Sequence, residues 1–484
     1  MMLLRRFGIP IVLFIPFLLN AQVGFSPFTT DFPPQEFSQR RQNVMKAIGD
    51  GLALIPGAAS PQGYTRFRQS NEFYYLCGIE SPHAYLLIDG AVKRTSLYLP
   101  HRNEGRERSE GKLLSAEDDS LIRHLAGVDA VYGVELLAEH LGRFARGGEK
   151  NVYIPFQPAE GFAMSRDLAV RYNTDVASDP WDGRIPREAQ FIRLVQSRFP
   201  QFAIRDLSPI IDELRLIKSD REIALIRKAT RLSGLSLMEG MRSAKPGVYE
   251  YELDAMAKYI YYRNGAQGEA YYSLIASGPN AMFGHYNAGK RRMEEGDLLL
   301  FDFAPDVGYY MADVTRMIPV SGRFNPAQRE LYSFYLACYK AILKAIKPGK
   351  TAQAIKQEAV KEMRKILAGA KLSKPLYRRA CEAFVERYSD GAESQYTSLG
   401  HWVGMATHDV GKFTGPLRPG MVFTIEPALV VREEHINIRL EDMVLITNSG
   451  SENMSAFVPM EAEEIENLMK EEGMVQRYPM DKSN

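Results

Sequence analysis

The fold of the second half of this chain is decided by Leu298-Leu299-Leu300-Phe301-Asp302-Phe303 and by Ala312-Asp313-Val314-Thr315-Arg316. Each run is apolar and strand-like, and each carries one aspartate. Val307-Gly308-Tyr309 supplies a turn between the runs, so they are predicted to form a hairpin that brings Asp302 and Asp313 to one face. An ionised carboxylate buried in such a strand costs several kcal/mol unless a cation or strong hydrogen-bond donors meet it.

Three more residues with metal-ligating side chains lie in similar apolar, strand-like runs: His401, Glu426 and Glu441. A single buried acid is more often paired with arginine or with backbone amides than with a metal. Four carboxylates in one site could not all stay ionised unless divalent cations neutralised them. We therefore predict that two divalent metal ions are held by Asp302, Asp313, His401, Glu426 and Glu441. An oxygen-rich set with one imidazole suits Mn²⁺ best, and also Co²⁺, Zn²⁺ or Fe²⁺.

A paired metal site of this kind favours hydrolysis. Two ions about 3.5 to 4 Å apart acidify a bridging water, which can then attack a carbonyl near neutral pH. His285 and His408 lie in glycine-bearing, loop-like segments. Taken alone, each is more often a surface or internally satisfied histidine than a catalytic one. Beside a metal site, both become candidates for stabilising the developing oxyanion or for positioning a peptide.

The chain length predicts more than one domain, since 484 residues exceed what a single hydrophobic core usually supports. Residues 22–205 mix β-rich runs, such as Phe73 to Leu76 and Ala84 to Asp89, with helical ones, which predicts an α/β domain. Ser219 and Glu222 form a capping box that opens the first helix of a second domain, residues 206–470.

Helices lead this second domain, and strand-like segments carry its polar residues of interest, so an α+β architecture is predicted. Helices are expected over Tyr249 to Asn264 and over Pro326 to Leu367, the latter interrupted at Pro348-Gly349. Strands are expected over Met421 to Val431 and Asn437 to Thr447. The final residues, 471–484, are rich in charge and are predicted to form a frayed tail.

The N-terminus predicts an exported protein. Arg5 and Arg6 precede an apolar run, Phe7 to Leu19, that ends near Ala21, and this is the pattern of a signal peptide over residues 1–21. The run is shorter than the roughly 20 apolar residues of a membrane-spanning helix, so no stable membrane span is expected after cleavage. An uncleaved anchor or a buried N-terminal helix is the alternative. The expected location is periplasmic or secreted.

Charge and cysteine content argue against several other classes of protein. Sixty Lys and Arg residues against 59 Asp and Glu give a net charge of +1, which disfavours nucleic acid and other polyanionic partners. The three cysteines, Cys77, Cys338 and Cys381, form no Cys-x-x-Cys pair, so they are interpreted as structural. One disulfide stays open as an alternative in an oxidising compartment.

In chain order, the five predicted ligands resemble those of the pita-bread metallopeptidases, a family that includes aminopeptidase P, prolidase and methionine aminopeptidase. The matching segments are Gly296 to Pro319, Gly400-His401-Trp402-Val403-Gly404, His408-Asp409-Val410-Gly411 and Glu426-Pro427. The N-terminal part is similar to the aminopeptidase P domain in Gln69 to Gly78 and in Leu99-Pro100 followed by Arg102 and Glu104. The resemblance therefore favours aminopeptidase P over a single-domain methionine aminopeptidase, and it implies a pita-bread catalytic domain.

The resemblance also implies roles for individual residues. It assigns Asp302, Asp313 and Glu441 to one metal ion, and Asp313, His401, Glu426 and Glu441 to the other, with Asp313 and Glu441 bridging. It implies that Glu426 relays the proton of the attacking water and that His285 and His408 act on the substrate and transition state. Arg439 is placed near the site, where its alternative role is that of a partner for a carboxylate.

The implied activity is hydrolysis of the bond between an N-terminal residue and a following proline, by a hydroxide that bridges two metal ions. The expected partners are peptides with proline at the second position and further copies of the chain in a homo-oligomer. Prolidase, restricted to dipeptides, and a non-catalytic peptide-binding domain are the alternatives. Thr397 stands where a histidine is usual and Ala428 where glycine is favoured, and both departures bear on the preference for proline.

Overall fold

The computed structural model describes residues 31–161, 164–393 and 397–478. The predicted signal peptide, residues 1–21, lies outside these described residues, as do residues 479–484 of the predicted tail. Within the described ranges, no helix combines the length and the apolar character needed to cross a membrane.

The N-terminal domain is built around a six-stranded mixed sheet. Its strands in chain order are β1 (Leu52–Pro56), β2 (Tyr85–Asp89), β3 (Arg94–Leu99), β4 (Ala130–Gly133), β5 (Lys150–Ile154) and β6 (Phe202–Asp206). They lie in the order β4-β3-β2-β1-β5-β6. Strand β2 runs antiparallel to both of its neighbours, and the remaining pairs are parallel. With the helices that connect these strands, this is the predicted α/β architecture.

The helices of this part of the chain are α1 (Pro34–Ile48), α2 (Asn71–Cys77), α3 (Glu104–Glu110), α4 (Asp119–Ala126), α5 (Leu136–Ala145), α6 (Arg166–Ser178), α7 (Arg187–Arg198) and α8 (Ser208–Leu216). The strand predicted at Phe73 to Leu76 is wrong, since these residues lie in α2, whereas the strand predicted at Ala84 to Asp89 is confirmed as β2. Every residue of α2 is buried. A short, fully buried apolar run has no periodic pattern that separates helix from strand, which explains the error.

The helices of the second domain are α9 (Asp220–Ser243), α10 (Glu250–Arg263), α11 (Pro326–Ala345), α12 (Ala352–Gly369), α13 (Pro375–Glu393), α14 (Ala462–Leu468) and α15 (Met474–Arg477). The capping box at the start of α9 is confirmed: the Ser219 hydroxyl accepts from the Glu222 amide, and the Ser219 amide donates to the Glu222 carboxylate at 2.9 Å. The predicted break at Pro348-Gly349 lies between α11 and α12.

The strands of this domain are β7 (Gly268–Glu269), β8 (Leu274–Ser277), β9 (Leu298–Asp302), β10 (Pro305–Asp306), β11 (Thr315–Pro319), β12 (Val422–Ile425), β13 (Ala428–Val431), β14 (Ile436–Arg439), β15 (Asp442–Ile446) and β16 (Ser451–Asn453). They form small antiparallel sheets in the orders β11-β9-β8, β10-β7, β12-β15-β16 and β13-β14. Helices packed on antiparallel sheets make this an α+β domain, as predicted.

The hairpin that carries the two aspartates is confirmed, with β9 and β11 antiparallel and Asp302 opposite Thr315. The strand bounds differ from the prediction, because Asp313 precedes β11, and Glu426 and Glu441 fall in breaks between two strands. Pro427 has no amide hydrogen for a ladder, which explains why the strand predicted across Glu426 divides there. The acids thus lie at strand ends, where carboxylates from different sheets can converge.

Part of the predicted tail is ordered. Helix α15 packs on the end of α9, where the amide of Val475 donates to the Ser243 hydroxyl at 3.3 Å and the Gln476 side chain donates to the Ser243 carbonyl at 2.9 Å. Val475 and Gln476 are therefore attached to the folded domain through α9.

The two domains share one hydrophobic core. The rings of Tyr74 from α2 and Tyr309 from the β9–β11 connection stack with centroids 3.6 Å apart. The Asn71 side chain donates to the Met405 carbonyl at 3.0 Å, and the Thr407 amide donates to the Met164 carbonyl at 2.8 Å. The N-terminal domain therefore touches the loop that follows His401.

Candidate functional site

All eight residues that the sequence singled out line one pocket of about 200 Å³. These residues are His285, Asp302, Asp313, His401, His408, Glu426, Arg439 and Glu441. Three residues from the segment before and within α6, Met164, Ser165 and Leu168, close the pocket from the side of the N-terminal domain. A larger cavity of about 1020 Å³ is also lined by His401 and His408, so these two histidines border both spaces.

His401 lies at the centre of three carboxylates. Its Nε2 atom is 3.4 Å from Asp313 Oδ2, 3.4 Å from Glu426 Oε1 and 3.6 Å from Glu441 Oε1. One ligand atom each from Asp313, His401 and Glu441 lies within 4.8 Å of the other two. Carboxylate and imidazole groups that point at a common centre are the ligands of a divalent cation.

Asp302 lies on the other side of Asp313 and is held by two further side chains. The Tyr271 hydroxyl is 2.6 Å from an oxygen of Asp302 and 2.6 Å from an oxygen of Asp313. The Arg439 guanidinium bonds directly to Asp302, and its Nη1 atom is 3.7 Å from Glu426 Oε2. Arg439 is thus a partner of two of the predicted ligands. Tyr271 was missed, because nothing in the local sequence around it indicates an active-site residue.

Glu441 supplies the sharpest indication that the cluster fits a cation. The Thr315 hydroxyl donates to Glu441 Oε2 at 2.8 Å, but Oε1 is buried and has no hydrogen-bond partner among the described residues. A buried carboxylate oxygen without a donor is costly unless a cation neutralises it. The residues present therefore fit a divalent cation.

The electrostatics of the cluster lead to the same conclusion. Burial raises the pKa of Asp302 to about 6, partly offset by Arg439, and burial together with the charge of Asp302 raises the pKa of Asp313 to about 6. Burial also raises the pKa values of Glu426 and Glu441. Burial disfavours a charged His401, but the neighbouring carboxylates of Asp313 and Glu441 outweigh it and raise the His401 pKa well above its usual value. The carboxylates of this cluster therefore need positive charge close to them, which either bound protons or metal cations can supply.

The two loop histidines approach the cluster differently. The ring of His408 lies 4.1 Å from that of His401, and burial, with a further effect of His401, lowers the His408 pKa to about 4. His285 is exposed on the loop after β8. That loop is fixed by the buried Glu250, which accepts from the Ser277 hydroxyl at 2.8 Å and from the Tyr286 hydroxyl at 3.0 Å.

The two positions that depart from the family pattern lie at the edge of this arrangement. The side chain of Thr397 is buried, its hydroxyl has no partner in the described part of the chain, and it does not line the pocket. Ala428 is the first residue of β13 and pairs with Arg439 of β14. Neither side chain lies among the predicted ligands.

A buried ionic network joins the domains behind the pocket. Arg215 of α8 bonds to Asp409 at 2.6 Å and to Glu160 at 3.2 Å. Arg166 bonds to Glu160 at 2.9 Å and to Glu72 at 2.6 Å. Asp409 follows His408 in the chain, so this network fixes one flank of the histidine. These long-range pairs carry no local sequence signal.

The fold and the pocket together define a two-domain hydrolase with an acidic candidate metal centre. Family models agree with this class: the model of metallopeptidase family M24 matches residues 224–448, and that of the aminopeptidase P N-terminal domain matches residues 37–153. Residues 224–448 thus form a pita-bread catalytic domain of metallopeptidase family M24, preceded by an N-terminal domain of the aminopeptidase P type, and the chain is an enzyme of the aminopeptidase P type.

Relatives with assigned activities cover most of the chain. The chain is 27% identical to the Xaa-Pro aminopeptidase of Haemophilus influenzae over 91% of its own length and 99% of the relative. It is 28% identical to the Xaa-Pro aminopeptidase of Escherichia coli over 90% of its length and 97% of the relative. The human Xaa-Pro dipeptidase is 27% identical, with coverage of 91% and 94%.

Solved structures show the same likeness. Aminopeptidase P from Escherichia coli with the inhibitor Pro-Leu superposes with a TM-score of 0.71 at 27% identity, covering 91% of this chain and 98% of that one. The Pseudomonas aeruginosa aminopeptidase superposes with a TM-score of 0.72 at 26% identity, with coverage of 91% and 98%.

Proposed function

We propose that this metallopeptidase is a Xaa-Pro aminopeptidase, which hydrolyses the bond between an N-terminal residue and a following proline. The observation that carries the proposal is the convergence of Asp313, Glu426 and Glu441 on His401 Nε2, with Asp302 beside them, in a pocket closed by the N-terminal domain. The names of the relatives that cover most of the chain support this substrate class.

The proposed cofactor is a pair of divalent ions, with Mn²⁺ expected first among Mn²⁺, Co²⁺, Zn²⁺ and Fe²⁺. The proposed ligands are Asp302, Asp313, His401, Glu426 and Glu441. When bound, such ions would supply an acidified water as the nucleophile and would polarise the scissile carbonyl. The orphaned Oε1 of the buried Glu441 supports this assignment.

Glu426 is the best placed of the acids for proton transfer. Its side chain is 28% exposed, whereas those of Asp302, Asp313 and Glu441 are 7% exposed or less. Because Glu426 is the most exposed of these acids, it is the one placed to take the proton of the attacking water and to return it to the leaving proline nitrogen. Its raised pKa, caused by burial, moves the group toward the operating pH, which suits that role.

The remaining residues hold the substrate and the acids. Arg439 fixes Asp302 and approaches Glu426, so it orients two carboxylates at once. His285 and His408 flank the pocket from two different loops, where they can bond to the peptide near the scissile carbonyl. The pocket volume of about 200 Å³ is below the roughly 300 Å³ lower limit of drug-sized sites, which suits one end of a peptide.

The larger neighbouring cavity supports an aminopeptidase rather than a dipeptidase. It borders the pocket at His401 and His408, so there is space beside these residues for a substrate longer than a dipeptide.

Export, by cleavage of a signal peptide after Ala21, and assembly into a homo-oligomer complete the proposal. N-terminal sequencing of protein from the extracytoplasmic fraction and light scattering of the mature chain test these two points. A mature protein that begins at Met1, or a monomer at micromolar concentration, would contradict them.

A panel of short peptides tests the proposed activity. After chelation, the enzyme is reloaded with Mn²⁺, Co²⁺ or Zn²⁺ and offered Xaa-Pro-Yaa, Xaa-Ala-Yaa and Xaa-Pro, with Asp313→Asn as the inactive control. Release of the N-terminal residue from Xaa-Pro-Yaa, restored by metal and absent in the control, is expected. Activity that persists without metal contradicts the metallohydrolase, and turnover of Xaa-Pro alone identifies a dipeptidase.

A further inference from the structure

Asp167, in the first turn of α6, reaches across to His408 of the catalytic domain. Its two carboxylate oxygens lie 3.2 and 3.3 Å from His408 Nδ1. The contact joins residues 241 positions apart in the chain. Neither the sequence patterns nor the family models that match residues 37–153 and 224–448 include Asp167.

The backbone brings these two side chains together. Ser165 and His408 form a parallel β-bridge, in which the Arg166 amide donates to the His408 carbonyl at 3.3 Å. One residue earlier on each side, the Thr407 amide donates to the Met164 carbonyl at 2.8 Å. The segment before α6 is therefore paired with the loop of His408 before any side chain is considered.

The carboxylate of Asp167 is itself held in place. The Ser165 hydroxyl caps α6 by accepting from the Leu168 amide at 3.2 Å, and it bonds to Asp167 Oδ1 as well. The other flank of His408 is fixed by Asp409, which is paired with Arg215 and, at 3.3 Å, with Lys218. His408 is thus constrained on one side by α6 and on the other, through Asp409, by Arg215 of α8.

We infer that Asp167 is a positioning residue for His408, and this inference rests on the proposed function. A carboxylate can only accept a hydrogen bond, so the proton of a neutral His408 must reside on Nδ1. Its Nε2 atom then carries the lone pair. The N-terminal domain therefore sets the chemical form of a catalytic-domain histidine, as well as closing the pocket.

With Nδ1 bonded to Asp167, the ring nitrogen of His408 that remains for contact with a substrate is Nε2. Loss of Asp167 would leave both the orientation of the ring and the position of its proton unspecified.

A double-mutant cycle tests the pair. Asp167→Ala is expected to lower kcat for Xaa-Pro-Yaa about 10-fold or more, because loss of a carboxylate that orients a functional histidine has an effect of this size. KM and metal content should change little. In the His408→Ala background the same change should cost nothing further. Asp167→Glu should recover most of the activity, and Asp175→Ala, an exposed acid of the same helix, should leave it unchanged.

Equal losses from Asp167→Ala in both backgrounds would overturn the inference, as would wild-type activity in that variant or an equal loss in Asp175→Ala. ¹⁵N-histidine NMR gives a readout that needs no activity: the Nδ1–H form of His408 is expected in the wild type and lost in Asp167→Ala. If the wild type cleaves no Xaa-Pro peptide, the proposed function fails, and the NMR result alone still decides the pair.

Discussion

Thr315 and Glu441 face each other where two small sheets meet. Their backbones exchange both hydrogen bonds, at 3.3 Å from the Thr315 amide and 3.0 Å from the Glu441 amide. The Thr315 hydroxyl also donates to Glu441 Oε2 at 2.8 Å. Since Thr315 pairs with Asp302 in the β-ladder as well, one threonine ties two predicted ligands from different sheets together.

Replacing Thr315 by valine should weaken metal binding. The substitution keeps the backbone pairing but removes the only hydrogen bond recorded to Glu441 Oε2 among the described residues. Loss of such an outer contact typically costs 10- to 100-fold in metal affinity, so we expect a decrease of about that size. Titration of Mn²⁺ against a competing chelator measures it.

Thr230→Val is the matched control, because the buried Thr230 hydroxyl donates to the Ile226 carbonyl within α9 and touches none of the acids. An unchanged affinity in Thr315→Val, or an equal decrease in the control, would show that this contact does not support the metal site.

Asp313→Asn should separate metal binding from folding. Burial and the charge of Asp302 raise the Asp313 pKa to about 6, so above that pH the ionised carboxylate destabilises the metal-free protein. Without metal, the variant should therefore be at least as stable as the metal-free wild type at pH 7.5, with a gain in the free energy of unfolding on the order of 1 to 2 kcal/mol. Its melting temperature should be equal to or higher than that of the metal-free wild type. Added Mn²⁺ should stabilise only the wild type.

His408→Ala is the companion variant. His408 lies against His401 but, among the described residues, has no hydrogen bond to the four acids of the proposed metal site, so stabilisation by Mn²⁺ should persist while turnover falls. Thermal melts with Mn²⁺ and with chelator measure both variants. Equal loss of the metal response would mean that His408 belongs to the metal site itself.

Tyr271→Phe should impair the site, whereas Tyr262→Phe should not. The Tyr271 hydroxyl lies 2.6 Å from both Asp302 and Asp313, whereas Tyr262 of α10 is half exposed and has no hydrogen bond to the acids among those described. Since outer contacts of this kind are worth 10- to 100-fold, we expect kcat/KM of Tyr271→Phe to fall about 10-fold or more. Steady-state kinetics at saturating Mn²⁺ provide the measurement, and indistinguishable variants would remove Tyr271 from the site.

Arg215→Met should destabilise the junction of the domains. The substitution removes the fully buried cation that bonds to both Glu160 and Asp409. Breaking a buried ion pair lowers the free energy of unfolding by about 3 to 5 kcal/mol. Arg418→Met breaks an exposed pair with Glu213 and should cost about 0 to 1 kcal/mol. Thermal melts of the two variants test the difference, and similar melting temperatures would mean that the network does not stabilise the fold.

The sequence singled out acids that the structure brings to one pocket, because each of them interrupts a local apolar run. The same local information predicted the hairpin of Asp302 and the capping box of Ser219. It placed Glu426 and Glu441 inside strands, although the chain breaks there, because apolar patterning does not reveal where a ladder stops.

The contacts that complete the pocket could not be predicted in this way. Tyr271, Thr315 and Asp167 reach the site through pairings across 31 to 241 positions of the chain. Such pairings depend on how the sheets and domains pack, and no short pattern encodes them. The resemblance to a family supplied the roles of the ligands, but not the contribution of α6.

Glu80→Gln should change the pH dependence of stability at the contact between the domains. Glu80 accepts from the Tyr309 hydroxyl at 2.6 Å, and burial raises its pKa to about 7. Between its unfolded pKa of about 4.5 and this value, the folded state binds a proton that the unfolded state does not, so stability falls as the pH rises through that window. A glutamine keeps the acceptor without the charge. After allowance for partial exposure, we expect Glu80→Gln to gain about 1 to 2 kcal/mol at pH 8 and nothing near pH 4.5.

Melting temperatures at pH 4.5, 6 and 8 in the presence of chelator test this expectation without interference from the metal site. Glu104→Gln removes one exposed negative charge and serves as the control for net charge. Because Glu80 and Tyr309 belong to different domains, a gain confined to high pH would show that a buried proton stabilises the contact on which the closed pocket depends. A variant that follows the wild type at every pH would mean that the Glu80 carboxylate is solvated in the folded protein, and the link between pH and domain contact would then be absent.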